Sequence, residues 1–191
     1  QGMHKYEVTG TIKHFALNTQ ESARHFVDHV ASERAIREIY LKGFEIAVRE
    51  GGAHAVMTTY GPVNGVYTSS NYDLVTGILR DEWGFAGIVM TDWWAKGGEA
   101  QSGDSRNMAA IIAAQNDLYM VTNSAIDNTN EDNSMDALTA GTVTRAEYQR
   151  CAANICEFII DKPVFFRYID ENNEIDNALS EETDEDEFFY D

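Results

Sequence analysis

One pattern constrains this chain more than any other. A short β-rich apolar run, a polar loop and an amphipathic helical stretch follow one another, and the unit recurs four times. Strands that read as near-continuous apolar runs, separated by helix-length connections, call for a parallel sheet covered by helices, because parallel neighbours need a crossover of a dozen or more residues. The predicted fold class is α/β.

The first strand is predicted over residues 8–15 and its helix over 32–50, where Ile36, Ile39, Tyr40, Phe44, Ala47 and Val48 keep the 3.6-residue period of one buried face. Glu33/Arg37, Glu38/Lys42 and Glu45/Arg49 sit four apart on the opposite, solvated face, and Gly51-Gly52 ends the helix. The second unit runs from a strand at 53–60 through a Gly/Pro/Asn loop to a helix at 71–80 closed by Gly84. A third strand at 87–92 leads through a loop of small residues into a helix at 108–114, and the fourth strand is predicted at 117–121. A short helix near 135–140 and a longer one follow; the capping box Thr144-Arg145-Ala146-Glu147 opens the longer helix and Lys162-Pro163 stops it.

With 191 residues and 43% hydrophobic content, the chain can bury a sizeable core. Its formal charge of −18 is unevenly spread: eleven acids and no Lys or Arg lie between Asp170 and Asp191, which leaves only −7 on the rest. Residues 169–191 are therefore expected to form a disordered acidic tail. An acidic surface repels phosphate backbones and anionic lipid, which excludes nucleic acid and membrane as expected partners. Cys151 and Cys156 are five apart and match no zinc pattern, so they are expected to be two semi-buried thiols, no metal site is expected, and a reducing, cytoplasmic setting is favoured. No apolar run approaches the ~20 residues of a membrane span, and the N-terminus has no basic-then-apolar signal form.

In parallel α/β folds the chemistry gathers at the C-terminal ends of the strands. Those ends carry Lys13-His14, Tyr60, Asp92-Trp93-Trp94 and Thr122-Asn123. A carboxylate, cations, hydroxyls and aromatic faces on one rim suit a sugar, although each alone is more often an ordinary strand-end or capping residue.

Four blocks in order and spacing sharpen this. The residues are Lys13-His14-Phe15 running to Gln20-Glu21, Ser32-Glu33-Arg34-Ala35-Ile36-Arg37-Glu38-Ile39-Tyr40-Leu41, Met57 to Tyr60 with Asn64-Gly65, and Leu79-Arg80-Asp81-Glu82-Trp83-Gly84-Phe85 leading to Met90-Thr91-Asp92-Trp93. Over roughly residues 8–167 the chain resembles glycoside hydrolase family 3. The resemblance implies that residues 1–168 are half of a (β/α)8 TIM barrel, strands five to eight. It makes Asp92 the nucleophile of a retaining β-glycosidase, with Lys13, His14 and Arg24 holding sugar hydroxyls and Met57, Tyr60 and Trp93 lining the same subsite. Arg34 and Glu38 also belong to the family pattern, but at four apart on a helix they are expected to form a structural ion pair.

The family's Gly-His-Gly-Asp type of loop is absent, which points to β-glucosidase activity on terminal β-linked glucosides or oligosaccharides, with β-xylosidase as the alternative. Outside the enzyme class, the competing expectation is a non-catalytic sugar-binding or structural half-barrel. No cofactor is implied. Retaining hydrolysis needs a second carboxyl group, and Glu21, Glu99 and Glu131 carry no family motif, so the acid/base Glu is expected from outside this chain. The isolated chain is expected to be incomplete and inactive, packing against a missing barrel half and an acid/base domain from the same or another polypeptide, with Asp191 as a C-terminus.

Overall fold

A computed structural model describes residues 2–6, 8–121, 128–162 and 165. Thr122-Asn123, Pro163 and the acidic segment 169–191 lie outside the described residues.

In chain order the elements are β1 (Thr11–Phe15), an interrupted helix α1 over residues 33–49, β2 (Ala55–Thr58), β3 (Pro62–Val63), β4 (Val66–Tyr67), α2 (Asp73–Glu82), β5 (Ile88–Met90), α3 (Met108–Ala113), α4 (Ser134–Ala140) and α5 (Arg145–Ile160). Strands β1, β2 and β5 form a parallel sheet in that order, and β3 and β4 form a separate antiparallel hairpin. The α/β expectation is thus met, with helices supplying the crossovers that parallel pairing requires.

The fourth expected strand differs. Residues 117–120 run beside β5 but make a single parallel bridge, Met90 to Leu118. Side chains take over part of the ladder: the Val89 N–H donates to the Asp117 carboxylate at 2.8 Å and the Met120 N–H to the Thr91 hydroxyl at 3.0 Å. A backbone group paired with a side chain is satisfied without extending the strand.

Helix α1 also departs from its period. Ser32 caps it by accepting from the Ala35 N–H, and Ile36–Tyr40 then widen into a π-helical turn in which the Leu41 N–H reaches back five residues to the Ile36 carbonyl at 2.8 Å. One extra residue in a turn rotates everything beyond it. Ile36 stays buried and Leu41 becomes fully buried, while Ile39, expected inside, is 68% exposed and Tyr40 also faces outward. The same rotation gives Lys42 to Glu45 at 2.9 Å instead of to Glu38, which pairs with Arg34 at 3.0 Å; Glu33/Arg37 and Glu45/Arg49 form as expected.

Two apolar clusters hold the chain. The larger joins the sheet to α1 and α2 through Phe15, Leu41, Val56, Val75, Leu79 and Val89, with Phe44 and Trp83 edge-on to Phe15 at 5.2 and 6.3 Å. Truncating a fully buried member such as Leu79 to Ala costs about 2–5 kcal/mol. The smaller cluster gathers Ala109, Ile112, Ala137, Val143 and Cys151 between α3, α4 and α5. Cys151 is buried there, which pushes its thiol up to about 12, whereas Cys156 is exposed; both are free. The Thr144–Glu147 capping box forms in full and starts α5 at Arg145.

Candidate active site

Three neighbouring strands deliver the site. β1 carries His14, Tyr60 follows β2 by two residues, and Asp92 follows β5 by two. The strand ends are laced together by the Thr59 N–H donating to the Phe15 carbonyl at 2.7 Å. On the other flank, the Thr91 and Trp94 N–H groups donate to the Leu118 and Met120 carbonyls, each at 2.9 Å. Asp92 therefore sits between two backbone anchors, and its position is set by the sheet.

The Asp92 residue is 9% exposed. Its Oδ1 accepts the Trp93 N–H at 2.8 Å, and its Oδ2 lies 3.3 Å from His14 Nε2. Burial lowers the His14 pKa from 6.5; the Asp92 charge opposes this, and the Lys13 and Arg24 charges add to it. The two side chains are within ion-pair distance, and burial and the Asp92 charge pull the imidazole's proton affinity in opposite directions. Burial, then the Asp92 charge and hydrogen bonding to its carboxylate, push the Tyr60 phenol up to about 12.

Arg24 lies over the Tyr60 ring with its guanidinium carbon 4.9 Å from the centroid, and pairs with Glu21 at 2.7 Å. The structure therefore brings His14, Tyr60, Asp92 and Arg24 together. Trp93 contributes its backbone N–H while its indole, 44% exposed, packs at a 39° tilt against Trp94 with centroids 5.6 Å apart. Lys13 is exposed and bears on the group through its charge on His14. Met57 stays within β2, half-buried and in register with Met90.

Two residues join that the sequence reading passed over. His25 packs against Tyr60 with centroids 4.0 Å apart and the rings tilted by 43°, and Lys96, 4.7 Å over the Phe26 ring, bears on His25 through its charge. His25 adjoins Arg24 and Lys96 lies four residues past Asp92, so proximity in sequence to a named site residue was the available signal. Of the candidate acids, Glu21 is held below the ordinary carboxyl value by its hydrogen bond from Asn18 and by Arg24, and Glu131 lies 3.7 Å from Arg106. A cavity of about 470 Å³ between the helices and the β3–β4 hairpin, lined by Glu33, Arg37, Asn64, Asn71 and Glu82, contains none of the residues grouped around Asp92. Among the described residues, no cluster of His, Cys, Asp and Glu has the arrangement of a metal site, and no helix is long and apolar enough to cross a membrane.

A parallel α/β unit with a carboxylate, an imidazole and a phenol converging at its strand ends has the layout by which α/β proteins gather functional groups. Residues 1–157 match the glycosyl hydrolase family 3 N-terminal domain, and the chain belongs to that family. It is 51% identical over 190 residues to a β-glucosidase of Ruminococcus albus, which covers 98% of this chain and 20% of that protein. A β-glucosidase structure from Paenibacillus barengoltzii superposes with a TM-score of 0.82 at 53% identity, covering 86% of this chain and 18% of that one. β-Glucosidase 3B of Thermotoga neapolitana, solved in complex with glucose, gives 0.74 at 39% identity, with 87% and 23% covered. The chain thus spans about a fifth of the length of these relatives.

Proposed function

We propose that this chain carries the nucleophile and half of the sugar subsite of a retaining β-glucosidase, with Asp92 as the nucleophile. The observation that carries the reading is the state of Asp92. It is a nearly buried carboxylate at a strand end that accepts the Trp93 N–H and lies 3.3 Å from His14 and beside Tyr60, with no Lys or Arg within ion-pair distance among the described residues, so it is oriented without a permanent cation to cancel it.

In the first step a carboxylate oxygen of Asp92 attacks the anomeric carbon of a terminal β-glucoside. The bond from that carbon to the leaving oxygen breaks, and a general acid gives the leaving oxygen its proton. In the second step water attacks the same carbon, the ester bond to Asp92 breaks, and the acid/base group takes the water's proton. Tyr60, protonated far above neutral pH, steadies the carboxylate as a donor. His14, Arg24 and Lys13 supply N–H donors for the sugar hydroxyls, and Trp93 and Met57 line the subsite.

The acid/base group comes from outside this chain. A general acid must hold its proton at working pH, whereas Glu21 is shifted the opposite way by Asn18 and Arg24. The partners that complete the enzyme are a second barrel half and the domain bearing that acid. In this division residues 1–168 are the catalytic half-barrel and 169–191 a separate acidic tail.

The test is to incubate the intact enzyme with a 2-deoxy-2-fluoro-β-glucosyl fluoride and map the label by peptide mass spectrometry. Label on Asp92 is expected; an active enzyme labelled at another residue would overturn the assignment.

A further inference from the structure

Arg24 and His25 reach Tyr60 from a long segment, residues 18–31, that contains no helix or strand of its own. Something must hold that segment still if its side chains are to meet a sugar in one geometry.

The β3–β4 hairpin supplies the hold. Its two-residue turn is Asn64-Gly65, with φ of +49° and +90°, the pair of left-handed residues that a tight hairpin requires. Asn64 does more than turn the chain. Its Oδ1 accepts the Ala31 N–H and its Nδ2 donates to the Ala31 carbonyl, both at 2.9 Å. The Gly65 N–H donates to Asp28 Oδ1 at 3.0 Å, and the buried Tyr67 hydroxyl donates to the His25 carbonyl at 3.1 Å. Two backbone bonds add to these: the His29 N–H to the Pro62 carbonyl at 3.0 Å and the Asn64 N–H to the His29 carbonyl at 3.2 Å.

Gly61, directly after Tyr60, is the seat on which this segment rests. A Cβ there would lie 3.2 Å from the Val27 carbonyl oxygen and 3.3 Å from that of Arg24. The backbone of the arm approaches so closely only because the position has no side chain.

We infer that Asn64 is a positioning residue of the sugar subsite: with Asp28 and Tyr67 it locks the 18–31 arm onto the hairpin and so fixes Arg24 against Tyr60. The inference rests on the glycosidase reading above for what Arg24 binds, but not for the lock itself. Asn64 touches neither Asp92 nor Tyr60 in any hydrogen bond of the described residues and acts through Arg24.

Asn64→Gly in the intact enzyme is the deciding variant, because glycine accepts the same turn conformation while deleting both side-chain bonds. KM for an aryl β-glucoside is expected to rise about tenfold with kcat changed by less than about threefold, the split of lost positioning of a binding group. Arg24→Ala is expected to raise KM similarly, and the double variant no further. Asn64→Asp, which keeps the acceptor for the Ala31 N–H, is expected to fall between. Effects that add fully to those of Arg24→Ala, or an unchanged KM, would overturn the inference.

Amide hydrogen exchange separates this result from the fate of the glycosidase reading. Faster exchange across 21–31 in Asn64→Gly supports the lock even if Asp92 takes no label, and unchanged exchange there refutes the lock even if Asp92 does.

Discussion

Two carboxylates flank the same short strand, β5, and they are treated in opposite ways. Asp117 has no exposed side-chain surface; it meets Arg80 at 2.5 Å, accepts from Asn154 at 2.7 Å and from the Val89 N–H at 2.8 Å, and Arg80 also donates to the Gly87 and Gln115 carbonyls. Asp92 is nearly as buried but has no Lys or Arg within ion-pair distance; it accepts one amide and lies 3.3 Å from the His14 imidazole and beside the Tyr60 phenol. A carboxylate paired with an arginine and held by two further donors ties elements together and has little left to react with. An oriented one without such a pairing can stabilise or attack a developing carbocation. The first carboxylate builds the sheet; the second is built by it.

The largest effect that tests this contrast is loss of the reactive carboxylate. Asp92→Asn in the intact enzyme is expected to reduce kcat on an aryl β-glucoside by about 10³-fold or more, while the melting temperature moves by no more than about 2 °C. Retained activity would erase the distinction. Arg80→Ala should do the reverse. Stranding the buried Asp117 charge is expected to cost about 3–5 kcal/mol in urea unfolding, and a loss under about 1 kcal/mol would show the pair to be dispensable.

Tyr60→Phe keeps the ring under Arg24 and removes the donor to Asp92, with kcat expected to fall about 10²-fold. Because the phenol titrates only at about 12, no alkaline limb of the activity profile below pH 10 belongs to it.

His14 gives a finer measure of the Asp92 charge. Its folded pKa is lowered by burial, so the unfolded chain takes up the proton first as pH falls. The stability it contributes is present above its ordinary 6.5 and is lost as pH drops below that value. An NMR titration of the ring should show a midpoint below 6.5. Since the Asp92 charge raises that midpoint, Asp92→Asn should lower it further; a rise would contradict the contact.

The smallest effect lies beside Asp117. Gln115 has φ of +60°, a left-handed conformation that side chains disfavour, so Gln115→Gly is expected to stabilise by up to about 1 kcal/mol in the same unfolding assay.

Much of this arrangement was readable beforehand because it is locally encoded. The parallel strands follow from apolar runs, the start of α5 from the Thr144–Glu147 box, and the end of α2 from Gly84, whose φ is +71°. His14, Tyr60 and Asp92 were legible as strand-end residues. What failed was whatever depends on phase or on distant partners. The π-helical turn in α1 carried Ile39 and Tyr40 outward against a regular 3.6-residue count and brought Leu41 in. The expected strand at 117–121 gave way to a segment bonded partly through the Asp117 and Thr91 side chains. Asn64-Gly65 announces a hairpin by itself, but nothing in those two letters says that the amide of Asn64 would find Ala31, 33 positions away in sequence.

The sequence alone determined the α/β alternation, the helix caps and the residues available at the strand ends, because periodicity, capping and turn chemistry act over a few neighbouring residues. Only the tertiary structure decided which of two similar aspartates meets an arginine and which does not. That choice depends on whether Arg80, or instead His14 and Tyr60, are brought to it from elsewhere in the chain, and electrostatics in a buried site follow distance in space.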